Sequence, residues 1–221
     1  NVIAKFKEAE AHNAKYRKGE VKFRKAINHL SHLTDEERKA TLYGYKVPEQ
    51  PLKTVEKVDP SVVKDLPDYW NWADQGVVHA ARNQGQCNDC YVMAGMGSVE
   101  AHSCIYKGAC EKLSEQEAVE CTDDKCNPGY FYEAFNYTIN AGGAALDSDY
   151  PYQGKVVNPC DTTSRKRVEG TKVASWKSMP NDEATIRFYL YNNGPMHLGL
   201  KAYPNLDTYK EGIYTDTENG S

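Results

Sequence analysis

Residues 83–100 read NQGQCNDCYVMAGMGSVE, and this stretch decides how the rest of the chain is interpreted. A short polar loop leads into a helix-forming run, and Cys90 lies where the two meet. The first N–H groups of a helix lack backbone acceptors and carry partial positive charge, which favours a thiolate over a thiol. Gln84 precedes Cys90 across a glycine, and its amide could donate a hydrogen bond to an oxyanion. The stretch therefore predicts a nucleophilic cysteine with an oxyanion donor beside it.

The same stretch resembles the active-site segment of papain-like cysteine peptidases, whose pattern is Q-G-x-C-G-x-C-W. The resemblance implies that Cys90 is the nucleophile, that Gln84 is the oxyanion-hole side chain and that Cys87 belongs to a structural disulfide. Three positions depart from the pattern, with Asn88, Asp89 and Tyr91 in place of Gly, Ser and Trp. A carboxylate beside the nucleophile disfavours the thiolate, so these departures predict a less efficient enzyme.

Further motifs resemble the same family in the same order: LSEQEAVEC at 113–121, CNPGY at 126–130, YPY at 150–152 and YKEGIY at 209–214. For the second of these, the resemblance implies that Gly129 pairs with the substrate backbone. Pro128 replaces a glycine of the family and stiffens the loop. Tyr130 and Phe131 would border a substrate pocket, and two packed aromatic residues without a ligand are the alternative.

The N-terminal region resembles the proregion of cathepsin L-like zymogens over residues 12–37, HNAKYRKGEVKFRKAINHLSHLTDEE. Periodicity predicts a helix over 5–16, a short strand near 21–23 and a second helix from 34 to 42 with a Thr34–Glu37 capping box. Residues 46–65 contain three prolines and predict an extended linker. The resemblance implies an inhibitory propeptide that runs backwards through the substrate cleft and is removed on activation. A helical unit without chemistry is the alternative.

The fold class that the resemblance implies is α+β, with a helical left lobe, a β-rich right lobe and a mostly helical propeptide before them. We expect the propeptide at 1–62, the left lobe with the nucleophile helix at 63–175 and the start of an incomplete right lobe at 176–221. Ser114 to Glu117 predicts a second capping box, and Asn181 or Asp182 predicts a helix start. Alternation over residues 196–202 predicts a strand.

Seven cysteines are present, an odd number that leaves one thiol free if the others pair. Spacing alone does not choose among the possible pairings. The resemblance implies Cys87–Cys126 and Cys121–Cys160, which leaves Cys104 and Cys110 for each other and Cys90 free.

Charge is divided unevenly along the chain. Residues 1–65 hold 14 Lys and Arg against 10 Asp and Glu, and the remainder holds 13 against 21. We expect the basic leading part to bind the acidic body, and acid to loosen that contact. The formal net charge of −4 gives no support for binding nucleic acid.

The sequence predicts no membrane span, because it has no apolar run of about 18 residues. Two glycosylation sequons begin at Asn136 and Asn219, and with the cysteine density they indicate the secretory pathway, a lysosome-like compartment or secretion. Neither a cofactor nor a metal site is predicted. The expected partners are peptide or protein substrates and the chain's own propeptide.

A thiol nucleophile needs a base or a fixed positive partner. In the family that partner is a histidine of the second lobe, and none of the six histidines here stands in a matching context. We therefore expect a fragment, with the rest of the right lobe in a continuation or in a second polypeptide, or an inactive relative.

The leading hypothesis is a papain-like cysteine endopeptidase zymogen. The second is a catalytically weak or inactive relative that binds peptides or proteins. A third would use Cys87-x-x-Cys90 as a redox or zinc motif, but zinc would need a second ligand pair.

Overall fold

The computed structural model describes residues 2–215. Within them lie six α-helices, two short strands and two 3-10 turns, at Pro60–Val63 and Pro204–Thr208. The chain divides into two compact units. The first unit comprises the described parts of 1–40 and 200–221, and the second unit comprises residues 41–199.

The first unit joins an N-terminal helix to a segment far along the chain. Helix α1 (Val2–Arg17) leads to strand β1 (Phe23–Lys25), which pairs antiparallel with β2 (Tyr209–Gly212). Asn13 of α1 fixes β1, because its amide donates to Lys25 O and accepts from Lys25 N, both at 2.9 Å. The predicted helix is therefore confirmed, and the strand predicted near 21–23 lies two residues later, at Phe23–Lys25.

Helix α2 (Asp35–Thr41) begins at the predicted capping box. Thr34 N donates to Glu37 Oε2 at 2.7 Å, and Glu37 N donates to Thr34 Oγ1 at 3.2 Å. The largely buried Asp207 accepts from Lys5 at 2.9 Å and from Arg38 at 2.6 Å, so it ties α1 and α2 to the later segment. The first unit is therefore held by capping and by ion pairs as well as by apolar packing.

The second unit is built around α3 (Cys90–Lys107), with α4 (Glu115–Cys121) and α5 (Glu133–Ala141) packed on it. Helix α3 ends at Gly108, whose φ of 68° is the left-handed conformation that glycine adopts without strain. Small residues let α3 approach α5 closely, since a Cβ on Gly95 would lie 2.5 Å from Ala134 Cβ. The core of this unit consists of Tyr91, Val92, Met96, Val99, Leu113, Val119, Ala134 and Tyr137.

The predicted capping box of α4 is only half formed. Ser114 Oγ accepts from Glu117 N at 3.1 Å, as predicted. Glu117 does not return to Ser114, because its carboxylate accepts from Tyr137 Oη at 2.8 Å and pairs with Arg167. Ser114 N donates to Ala145 O at 2.9 Å instead. A buried ion pair has thus displaced the local contact.

Helix α6 (Glu183–Asn193) begins at Asp182, whose side chain accepts from Thr185 N at 2.9 Å. The pattern of this helix predicts that Ile186, Phe188, Leu190 and Tyr191 pack inward, but these side chains are only half-buried, and Thr185 is the buried residue of the helix. The strand predicted over residues 196–202 is absent, because this segment is irregular and has no strand partner in the described residues. Alternation alone did not provide the neighbour that a strand needs.

Three disulfides join Cys87 to Cys126, Cys104 to Cys110 and Cys121 to Cys160. This is the pairing that the resemblance implies, and Cys90 carries the free thiol. The first bond links the loop before α3 to the CNPGY motif. No helix among residues 2–215 is both long and apolar enough to cross a bilayer.

Candidate active site

Cys90 is the first residue of α3 and lies at the N-terminus of the helix, directly after a turn. Asn88 adopts a φ of 53°, in the left-handed region. Asparagine tolerates this conformation better than most side chains, so it keeps the turn where the family has glycine. The thiol is half-buried. The predicted junction of loop, helix and thiol is therefore formed.

Two opposing influences act on the thiol. Burial raises the pKa of Cys90, and the charge of Asp89 raises it further. Hydrogen bonding from the backbone of Gly44, Tyr91 and Cys90 lowers the same pKa. The helix N-terminus thus acts in the predicted direction, but burial outweighs it and the thiol is the favoured form.

Asp89 is fully buried beside the thiol. Tyr152 Oη donates to Asp89 Oδ2 at 2.8 Å, while Oδ1 has no hydrogen-bond partner. Burial raises the pKa of Asp89 to about 6, and the bond from Tyr152 partly opposes this shift. Asp89 stands at the N-cap of α3 without making a capping hydrogen bond, because its side chain is turned toward Tyr152.

The chain's own residues 41–46 lie across the cysteine. Gln84 Nε2 donates to Leu42 O at 3.2 Å and to Thr41 O at 3.4 Å. The predicted oxyanion donor is therefore occupied by backbone carbonyl groups of this segment.

The same segment pairs with Gly129. Gly129 N donates to Gly44 O, and Lys46 N donates to Gly129 O, both at 2.8 Å in a parallel bridge. A Cβ on Gly44 would lie 1.7 Å from Asn88 O, so only glycine fits opposite the turn that precedes the thiol. Lys46 also binds Asp124 at 2.5 Å, which raises the pKa of the lysine.

The ring of Tyr91 packs beneath Gly129, which forms one side of the cleft in front of Cys90. A Cβ on Gly129 would lie 2.5 Å from Tyr91 Cζ, so the glycine rests directly on the ring. Tyr91 Oη donates to Lys125 O at 2.8 Å and lies 3.1 Å from Thr122 Oγ1. The tyrosine in the family's tryptophan position is thus a packed and hydrogen-bonded core residue.

An apolar cavity of about 600 Å³ lies beside the cleft. Phe131 lines it, and Tyr132 stacks on Trp176 at a centroid distance of 5.1 Å. Tyr45 packs against this region, since a Cβ on Gly199 would lie 2.7 Å from its ring. Tyr130 stacks on Tyr132 rather than lining the cavity.

No histidine of the second unit, within residues 41–199, is hydrogen-bonded to Cys90. His102 Nε2 lies 3.0 Å from Pro195 O, and His79 is exposed. His197 contacts the rings of Phe131 and Phe135, and burial lowers its pKa to about 4. Among the described residues there is also no cluster of three or more His, Cys, Asp or Glu placed to hold a metal ion.

Sequence reasoning missed two parts of this site. It identifies Asp89 as a departure from the family pattern but not its bond to Tyr152, although Tyr152 lies in the YPY motif. It also does not predict Gly44 as the residue facing the thiol, for which the only sequence signal is a glycine between two tyrosines. Asn136 lies on α5 and its side-chain oxygen accepts from Trp176 Nε1 at 2.9 Å, while Asn219 lies outside the described residues.

The family was identified by comparison with known proteins. The papain family cysteine protease domain matches residues 66–221, so the chain belongs to this family, with its α+β fold. The chain is 34% identical over 214 residues to the oryzain beta chain of Oryza sativa, covering 93% of this chain and 45% of that protein. It is 29% identical over 213 residues to cathepsin S of Bos taurus, covering 93% and 63%.

Among solved structures, digestive procathepsin L2 from Tenebrio molitor matches with a TM-score of 0.79 at 25% identity, over 98% of this chain and 71% of that one. The recombinant stem bromelain precursor matches with a TM-score of 0.76 at 26% identity, over 96% and 68%. The chain thus spans 45% to 63% of the length of the two curated relatives named above.

Proposed function

We propose that this chain belongs to the zymogen of a cysteine endopeptidase, with residues 1–62 as its inhibitory propeptide. One observation carries the proposal: the backbone of residues 41–46 occupies the Gln84 amide, the Gly129 edge and the space before Cys90 together. A peptide substrate would need the same three groups. The segment therefore blocks the site by filling it.

In the proposed reaction, Cys90 Sγ attacks the carbonyl carbon of the scissile peptide bond as a thiolate. The Gln84 amide and the first N–H groups of α3 donate to the oxyanion. The C–N bond breaks, the amine leaves with the proton that the general base took from the thiol, and water then hydrolyses the acyl-enzyme and releases the thiol. Gly129 holds the substrate backbone, and Phe131 borders the pocket for a substrate side chain. The reaction also requires a general base, and in papain-like peptidases that base is a histidine of the right lobe.

The three disulfides support an oxidising compartment, namely the secretory pathway, a lysosome-like compartment or the exterior. We further propose the left lobe at 63–175, the start of the right lobe at 176–221, and glycosylation at Asn136 and Asn219. A second polypeptide could supply the rest of the right lobe.

The second candidate is a peptide-binding or protein-binding relative with little or no catalysis. The pKa of Cys90, which burial and the neighbouring charge of Asp89 raise, favours this candidate. The cleft itself would remain suited to an extended peptide, because Gly129 presents both a donor and an acceptor.

The test displaces residues 41–46 from the cleft and measures the rate at which Cys90 is alkylated. Gly44→Ala would bring a Cβ onto Asn88 O, so this variant should expel residues 41–46. We expect alkylation of Cys90 by iodoacetamide to accelerate about tenfold or more, and hydrolysis of a fluorogenic peptide to rise with it where the general base of the right lobe is also present. Val47→Ala is the matched control, since Val47 is 74% exposed and should behave as the parent protein.

Faster alkylation without peptide hydrolysis would favour the binding candidate. Equal alkylation rates in Gly44→Ala, Val47→Ala and the parent protein would refute the blocking role of residues 41–46. Cys90→Ser should abolish the labelling in every case and so identifies the reacting thiol.

A further inference from the structure

Asp89 and Tyr152 form a hydrogen-bonded chain that ends at Gln84. Tyr152 Oη lies 2.8 Å from Asp89 Oδ2 and 3.0 Å from Gln84 O. The phenol has one proton and faces two acceptors, so it can donate to only one of them at a time. In one arrangement the phenol donates to Asp89 Oδ2, and in the other it donates to Gln84 O.

The protonation state of Asp89 decides between these arrangements. When Asp89 is ionised, the phenol donates to the carboxylate, and Gln84 O keeps only the Cys87 N–H at 3.3 Å. When Asp89 is protonated, its own O–H donates to Tyr152 Oη, and the phenol proton turns to Gln84 O. The protonated arrangement serves both Tyr152 Oη and Gln84 O, although Asp89 Oδ1 has no partner in either arrangement. Burial favours the protonated form, because the carboxyl is fully buried.

We propose that Asp89 is a positioning residue whose protonation, relayed by Tyr152 to the backbone of Gln84, prepares Cys90 and the oxyanion donor for reaction in acid. The inference rests on the proposed role of Cys90 as the nucleophile. Protonation has two consequences at the site. It removes a negative charge next to the thiol, and it anchors the backbone of the residue whose side chain serves the oxyanion.

The charged groups around Asp89 also favour its protonated form. Glu115 faces Asp89 from α4 and disfavours a second negative charge, while Tyr91 and Cys90 face it from α3. Arg82 is engaged by Glu100 and Glu115, and Lys112 lies 3.7 Å from Glu115. Burial raises the pKa of Asp89 to about 6, which places the change within the range of an acidifying compartment.

The experiment measures the alkylation rate of Cys90 by iodoacetamide from pH 4 to 9 in the intact chain. This readout needs no peptidase activity. Asp89→Asn keeps the size and an N–H donor toward Tyr152 but cannot carry the charge. We expect its thiol to react about tenfold faster than that of the parent protein above pH 7, and the two rates to converge below pH 5. Asp68→Asn, at an exposed position, is the matched control and should leave the profile unchanged.

Tyr152→Phe tests the relay separately and covers the case in which Asp89→Asn does not fold. Without the phenol donor Asp89 should hold its proton to higher pH, so the break in the alkylation profile should move upward. The same change made in the Asp89→Asn background should move nothing. Superimposable profiles for the parent, Asp89→Asn and Tyr152→Phe would overturn the relay.

The outcomes separate this inference from the proposed function. If the mature enzyme hydrolyses peptides but Asp89→Asn has the parent's alkylation profile, only the relay fails. If no variant hydrolyses peptides even with the general base of the right lobe present, but the profiles differ as expected, the relay stands and the peptidase proposal fails. In an active enzyme, Tyr152→Phe should lower kcat and leave KM within about twofold, because Gln84 acts on the oxyanion rather than on substrate binding.

Discussion

At the scale of single residues, the departures from the family pattern are explained by backbone conformation and by hydrogen bonds. Asn88 holds a φ of 53° in a largely buried turn. We expect Asn88→Ala to lower the free energy of unfolding by about 1 kcal/mol, because alanine is strained in this conformation. Asn88→Gly should stay within about 0.5 kcal/mol of the parent protein in urea denaturation. An equal loss in both variants would contradict the backbone explanation.

Tyr91→Phe should lower the free energy of unfolding noticeably, although it removes only one atom. The lost hydroxyl serves Lys125 O and contacts Thr122 Oγ1 inside the core. Leaving such groups without a partner costs about 1–3 kcal/mol of unfolding free energy, measured by urea denaturation. Tyr69→Phe removes an exposed hydroxyl and should change the stability by less than about 0.5 kcal/mol. Similar values for the two variants would mean that the buried bonds contribute nothing.

The sequence was sufficient to predict Cys90 at a helix start, because that depends on neighbours within a few residues. It was not sufficient for the bond between Asp89 and Tyr152, which are 63 residues apart. It also judged Asp89 by its charge alone, whereas the burial that changes its ionisation is a property of the folded chain. The disulfide pairing was available only through the family resemblance.

At the scale of elements, Arg82 joins the loop before α3 to two helices. It pairs with Glu100 of α3 and Glu115 of α4, whose side chains are each only 1% exposed. We expect Arg82→Met to lower the free energy of unfolding by about 3–5 kcal/mol, because it leaves two buried carboxylates without their cation. Thermal and urea unfolding would measure the loss.

Lys112→Met is the matched control for this prediction, because Lys112 also approaches Glu115, at 3.7 Å, but its side chain is 42% exposed. An exposed ion pair contributes at most about 1 kcal/mol. Equal losses for Arg82→Met and Lys112→Met would show that burial of the pair is not what matters.

The predicted elements succeeded where they depend on local signals. The caps at Thr34, Ser114 and Asp182 were all found in the sequence, and all three form in the structure. The strand over 196–202 failed because a strand requires a partner as well as an alternating pattern. The β1–β2 pairing was not predicted, since it joins segments almost the whole chain apart.

At the scale of the whole molecule, the uneven charge of the chain reappears as ion pairs. Lys5 and Arg38 bind Asp207, Arg24 binds Glu211, and Lys46 binds Asp124. In each of these pairs the cation comes from residues 1–65 and the anion from the remainder. We therefore expect removal of the proposed propeptide, residues 1–62, to accelerate as pH falls toward about 4, where carboxylates begin to protonate. A processing rate that is constant from neutral pH to pH 4 would refute this.

The fully buried Asp89 and the half-buried His197 link the stability of the second unit to pH with opposite signs. Asp89 has its pKa raised from 3.8 to about 6, so it favours folding below pH 4 and loses that contribution as pH rises through 6. His197 has its pKa lowered from 6.5 to about 4, so it favours folding above pH 6.5 and loses that contribution as pH falls through 4. Each shift corresponds to at most about 3 kcal/mol.

Single variants should therefore separate the two contributions in urea denaturation from pH 3.5 to 7.5. Asp89→Asn should be more stable than the parent protein at pH 7 by up to about 3 kcal/mol, with the advantage gone below pH 4. His197→Leu should show the reverse, gaining up to about 3 kcal/mol relative to the parent as pH falls from 6.5 to 4. If either difference is independent of pH, that side chain has the same pKa in the folded and the unfolded protein. For Asp89, such a result would mean that the carboxyl is ionised above its ordinary pKa, and it would contradict the proposed relay to Gln84.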